Sequence, residues 1–179
     1  MANTELKKTP IKDYIRTIPD YPVQGVNFYD LNSLFAGPKF NDGIYDLVQK
    51  TQELFDTPTH IVGIESRGFV VGSAMANSFG LPFVMVRKKG AKHPGELMEQ
   101  SYTLEYGEAT LTLQTGLLGH TDRCIIVDDL VATGGSVEAT ERLIEQTGAK
   151  ALGVSTIMDL YYVRGKDISM PMAYLERIQ

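Results

Sequence analysis

Between residues 40 and 55 the apolar positions Ile44, Leu47, Val48, Leu54 and Phe55 recur at intervals of three and four, which winds them onto one face of a helix packed on a sheet. Four short runs behave differently. His60–Ile64, Pro82–Val86, Cys124–Val127 and Ala151–Met158 are apolar with little alternation, the pattern of strands covered on both faces. Helical spacing returns between them, at Phe69, Val70, Ser73, Ala76 and Asn77, and again at Val137, Thr140, Leu143, Ile144 and Thr147. Strand and helix in alternation predict an α/β domain: a mostly parallel twisted sheet, flanked by helices and joined by right-handed crossovers.

Two stretches depart from this rhythm. Residues 5–16, ELKKTPIKDYIR, read as a short amphipathic helix weakened or started by Pro10, and the IPDYPVQG that follows reads as an irregular crossing, so the main domain begins near Val26. Ser101–Gln114 has period-two patterning around Gly107 and predicts a hairpin, while Lys88–Gln100 before it carries two glycines, a proline and no periodicity, and predicts a mobile loop. Neither an internal repeat nor a linker interrupts the chain, and its 179 residues call for a single domain, 1–179.

Composition narrows the function. A net charge of −5 argues against a general nucleic-acid binder, so any anion must be held locally. No apolar stretch approaches the roughly 18 residues of a membrane span, and MANTELKKTP lacks the hydrophobic run of a secretory signal. Cys124 is the sole cysteine; it cannot close an internal disulfide, fits a reducing, cytoplasmic setting, and reads as core packing. His60, His93 and His120 are scattered and match no triad or zinc pattern.

The chemistry concentrates in residues 124–136, CIIVDDLVATGGS. A buried strand delivers two carboxylates, Asp128 and Asp129, at the edge where open α/β sheets bind ligands. The turn Ala132-Thr133-Gly134-Gly135-Ser136 has no bulky side chain, so a phosphate can approach the N–H groups at the start of the next helix. Carboxylates beside a phosphate repel it unless they accept hydrogen bonds from sugar hydroxyls while the phosphate sits farther along the turn. A ribose 5-phosphate meets both demands. An ordinary strand–turn–helix corner, with an aspartate capping the helix, is the alternative. Two further anion features stand upstream. Gly63-Ile64-Glu65-Ser66-Arg67-Gly68 joins a strand to a helix that Ser66 can cap, with Arg67 as a planar cationic fork at its start. Arg87, Lys88, Lys89 and Lys92 then crowd four cations into six positions, either a solvated face or a basic lid closing over an anion.

Residues 127–136, VDDLVATGGS, resemble the phosphoribosyl diphosphate signature of type I phosphoribosyltransferases. The segments PDYPVQGVNFYDL, GIESRGFVVG, VRKKGAKHPG and YTLEYGEATLTLQ follow in that family's order and are similar to its adenine-using branch. The resemblance implies a parallel sheet with a small N-terminal hood (about 1–30), a flap and hairpin inserted at about 87–114, a cis peptide before Ser66, and a homodimer. It also implies purine salvage, in which adenine takes the phosphoribosyl group from 5-phosphoribosyl 1-diphosphate to give AMP and diphosphate.

On this resemblance, the phosphoribosyl diphosphate would be held by Ser66, Arg67, Gly68, Arg87, Lys88, Lys92, Asp128, Asp129, Ala132, Thr133, Gly134, Gly135 and Ser136. Glu105 would handle the purine's proton, Tyr106 would close over the site, and Asn27, Phe28, Tyr29 and Leu160 would border the base. Mg²⁺ would bind chiefly through diphosphate oxygens and waters, with no direct protein ligand required. The first segment departs from the family's G-V-x-F-R-D-I-x-P: Tyr29 stands where arginine is usual and Asn27 where an aliphatic residue is frequent, and Ala91 adds a residue to the flap. Adenine is the leading base, with hypoxanthine, guanine or xanthine as alternatives. A non-catalytic sensor of phosphoribosyl diphosphate is a further one, disfavoured by the presence of the flap and Glu105.

Overall fold

In strand β3 (His60–Ile64), Ile61 joins one apolar cluster while Val62 and Ile64 join another. Both faces are buried, so the run shows no polar alternation. Strand β7 (Arg123–Val131) repeats the arrangement: Ile125 and Val127 pack with the first cluster, Cys124 and Ile126 with the second. The computed structural model describes residues 11–104 and 107–179. Within them, a seven-stranded sheet runs in the order β5-β6-β4-β3-β7-β8-β9. Its further strands are β4 (Phe83–Lys88), β5 (Leu97–Leu104), β6 (Gly107–Gln114), β8 (Lys150–Leu160) and β9 (Met172–Ile178). The five from β4 to β9 pair in parallel, and the β5–β6 hairpin adds antiparallel at the β4 edge.

Helices α2 (Phe40–Leu54) and α3 (Gly68–Phe79) cover the first cluster through Leu47, Val48, Val71 and Met75. Helix α4 (Gly135–Gln146) covers the second through Val137, Leu143 and Ile144. Two single-turn helices complete the set, α1 (Asn32–Phe35) and α5 (Tyr161–Arg164). A two-stranded sheet, β1 (Arg16–Ile18) with β2 (Phe28–Asp30), stands apart from the main one.

Several sequence expectations are corrected. The helix expected over 5–16 is, in its described part, a 3₁₀ turn at Ile11–Tyr14; Arg16 then leaves it because its backbone pairs with Asp30 across β1 and β2. The loop expected over 88–100 is shorter, since Leu97–Gln100 already pair with Leu111–Gln114. As an edge strand β5 has one unpaired side, and Glu99 there is exposed, tied to Lys89 at 2.6 Å. Strand β7 continues beyond Val127 because Asp128, Leu130 and Val131 pair with Thr156, Met158 and Asp159 of β8.

Candidate active site

The C-terminal ends of β3, β4 and β7 converge on a cleft of about 200 Å³ that brings together Ser66, Arg67, Lys88, Asp128, Asp129 and Ser136, with Tyr102 of β5 as one wall. A second cleft of about 380 Å³ shares Tyr102 and takes in Thr133, Gly135, Arg142 and Lys166. The parallel strands deliver the Ser66-Arg67 and Thr133–Ser136 turns to one edge, where Tyr102 of the hairpin meets them.

Asp128 and Asp129 belong to β7 and do not cap α4, whose N-cap is Gly134 at φ +88°, a conformation in which glycine carries no Cβ penalty. The Asp129 N–H donates to Asp128 Oδ1 at 2.9 Å. Burial, and then the charge of Asp129, pushes the Asp128 carboxyl well above its ordinary range. Burial raises Asp129 as well, against the pull of Arg67, whose Nε lies 2.9 Å from Asp129 Oδ2. That contact is poorly aligned, and Oδ2 is buried without a hydrogen bond. Two crowded carboxyls, one oxygen unsatisfied, are set to receive donors or a cation from a ligand.

Helix α3 begins hard against this strand. A Cβ on Gly68 would stand 2.9 Å from both Asp128 Oδ1 and the Val127 carbonyl oxygen, so glycine is what lets the Ser66-Arg67 turn reach the carboxylates. The expected Ser66 cap is absent: the N-cap is Arg67, no side chain caps the helix, and the Phe69 N–H bonds the Ser66 carbonyl. The Glu65–Ser66 peptide is cis. Arg67 also lies over the Phe28 ring, 5.8 Å from its centroid, linking the β1–β2 sheet to the cleft.

The remaining candidates are placed unevenly. Arg87 does not line the cleft; it lies against Glu65 and donates to the Lys92 carbonyl at 3.2 Å. Lys92 is exposed, as is Asn27, whereas Phe28 and Tyr29 are half-buried. Leu160 is buried at the end of β8 within the first cluster, against which Tyr29 also packs. Ala132 offers its carbonyl to Arg164 at 3.1 Å. Glu105 and Tyr106 lie outside the described residues, between Leu104 of β5 and Gly107 of β6.

The general model of the phosphoribosyl transferase domain matches residues 30–168. An adenine phosphoribosyltransferase of Jannaschia sp. is 42% identical over 158 residues, 87% of this chain and 86% of that one. The crystal structure of adenine phosphoribosyltransferase from Thermoanaerobacter pseudethanolicus superposes with a TM-score of 0.87 at 33% identity, over 94% of this chain and 98% of that one. The Saccharomyces cerevisiae enzyme, crystallised with an imino-altritol bisphosphate and adenine, gives 0.85 at 34%, over 92% and 96%. The chain belongs to the adenine phosphoribosyltransferase family.

For a member of this family, three residues beside the cleft escaped the sequence reading of its site. Burial alone would raise the Glu65 carboxyl, but the Lys88 N–H, at 2.9 Å, and Arg87 outweigh it and hold the group below its usual range. Glu65 thereby ties the Ser66-Arg67 turn to the end of β4. Burial, with the charge of Asp128, raises Tyr102. Arg164 reaches Ala132 from α5, and a lone arginine in YYVRG carries no signal in sequence.

Proposed function

We propose that this transferase, an adenine phosphoribosyltransferase of purine salvage, divides its work among three groups around the cleft. The observation that carries this is the meeting of the Asp128–Asp129 pair, Ser66 and Arg67, and Ser136 in one space of about 200 Å³. Asp128 and Asp129 accept hydrogen bonds from the ribose hydroxyls, and the N–H groups of residues 132–136 take the 5-phosphate. Ser66, Arg67 and Lys88 face the diphosphate, with Arg87 and Lys92 following as the flap closes. Phe28 stacks on adenine, bordered by Asn27, Tyr29 and Leu160.

The bond from C1 of the ribose to diphosphate breaks as purine N9 attacks that carbon. Positive charge grows on the ribosyl carbon, which the paired carboxylates stabilise, while cations receive the departing charge. Glu105 handles the purine proton, a role worth typically about 10² to 10⁴ in rate, and Tyr106 covers the site. Mg²⁺ suits the donor set, since Asp129 Oδ2 is buried without a hydrogen bond and this hard ion takes carboxylate, diphosphate and water oxygens. Held mainly through diphosphate and waters beside Asp128 and Asp129, it would neutralise charge on the leaving group.

The same reading places the reaction in the cytoplasm, in keeping with the buried lone Cys124, and pairs the chain as a homodimer. Diphosphate release, assayed with Mg²⁺ and 5-phosphoribosyl 1-diphosphate and with adenine, hypoxanthine, guanine or xanthine offered separately, tests the function. Turnover with adenine is expected. Preference for an oxopurine would reassign the pocket around Asn27 and Tyr29, and silence with every base would defeat the reading.

A further inference from the structure

Arg164 has no part in the division of labour above, yet its side chain is 4% exposed. Its Nη1 donates to the Ala132 carbonyl at 3.1 Å, and its Nη2 lies 2.7 Å from Asp159 Oδ1. Asp159 is fully buried and also accepts from Arg177 Nε at 2.6 Å. Among the described residues, Arg164 Nε and Nη2 and Asp159 Oδ1 form no hydrogen bond, so the guanidinium, which also lies over the Tyr161 ring, has its one aligned hydrogen bond to the Ala132 carbonyl.

A buried ion pair is a poor way to gain stability, because desolvation offsets most of the attraction and an apolar side chain could fill the same space. What a guanidinium adds is direction. The Ala132 carbonyl and the Thr133 N–H share one planar trans peptide and point opposite ways, so holding the first fixes the second. Thr133 and Gly135 line the wider cleft and Ser136 the narrower one.

We propose that Arg164 is a positioning residue for the phosphate turn. Anchored by Asp159, it holds the Ala132 carbonyl away from the site and so presents the Thr133 N–H to the 5-phosphate. This rests on the reading of residues 132–136 as the phosphate cradle. The ligand class affected is any ribose carrying a 5-phosphate; adenine and diphosphate, bound by other elements, are spared.

The test titrates ribose 5-phosphate, diphosphate and adenine separately into wild type, Arg164→Met and Arg164→Lys by calorimetry, with circular dichroism to establish folding and KM values alongside. Arg164→Met should weaken ribose 5-phosphate and raise KM for 5-phosphoribosyl 1-diphosphate by about tenfold, leaving adenine and diphosphate within about twofold. Arg164→Lys keeps the charge but loses the planar fork, and should fall between, near threefold. A folded Arg164→Met that binds ribose 5-phosphate like wild type, or weakens all three ligands equally, overturns the proposal. Should that variant not fold, Arg164→Lys decides: wild-type affinity for ribose 5-phosphate overturns it. If wild type releases no diphosphate with adenine, the reaction assignment fails, while the ribose 5-phosphate titration still judges the positioning role.

Discussion

Asp128, half-buried, and Asp129, buried, stand side by side before any ligand arrives, and that crowding has a measurable cost. Because the folded carboxyl of Asp128 is raised above its ordinary value of 3.8, between the ordinary and the raised value the folded protein holds a proton there that the unfolded chain has released. The stability linked to that proton is present below the ordinary value and is lost as pH climbs through the raised one. Asp128→Asn keeps an acceptor for the Asp129 N–H and removes the charge. Its melting temperature should exceed wild type at neutral pH by about 2–4 °C for each kcal/mol relieved, and the gap should shrink as pH falls toward 3.8; thermal melts across that range measure it. Turnover should nonetheless fall, since in the proposed mechanism the ribosyl carbon loses a stabilising charge. Glu105→Gln should act otherwise, lowering kcat by about 10² or more while binding of 5-phosphoribosyl 1-diphosphate changes little. Equal turnover in that mutant would remove Glu105 from the mechanism.

Among the elements, α3 and β7 meet at one atom's distance, and Gly68 is the reason they can. A methyl group at that position would press on the Val127 carbonyl oxygen, which is backbone and cannot swing away. Gly68→Ala should therefore cost about 1–3 kcal/mol of stability and weaken diphosphate binding as the Ser66-Arg67 turn is pushed off the carboxylates; denaturant melts and calorimetry report the two effects. The same elements show how far local pattern reaches. The long helices and the four buried runs were legible because burial on a sheet imposes its own spacing. The extent of β7 was not, since Asp128 and Asp129 look like a strand end until pairing with Thr156 to Asp159 extends it. Nor was β9, whose half-buried MAYLERI alternates weakly and becomes a strand by lying parallel to β8.

At the scale of the molecule, ligands that bridge several elements should stabilise the fold most. AMP touches the phosphate turn, the carboxylates and the base pocket in the proposed arrangement, whereas adenine touches the last alone. AMP at about a hundred times its Kd should add about 2.7 kcal/mol, a rise of roughly 5–10 °C in melting temperature for a domain of this size. Adenine at a fixed millimolar concentration should raise it less, and a thermal shift series compares them directly. What residues 124–136 determined by themselves was a chemical expectation: two carboxylates followed by a small-residue turn match the hydroxyls and phosphate of a phosphorylated sugar, with an ordinary strand–turn–helix corner as the alternative. The family segments likewise stood in order along the chain. Tertiary structure alone decided which distant groups join them. Glu65 reaches Lys88 across β3 and β4, Arg67 spans from Asp129 to Phe28, and Arg164 arrives at Ala132 from a helix 32 positions away. Such contacts are set by sheet order and by burial of charge, and neither leaves a period in the sequence.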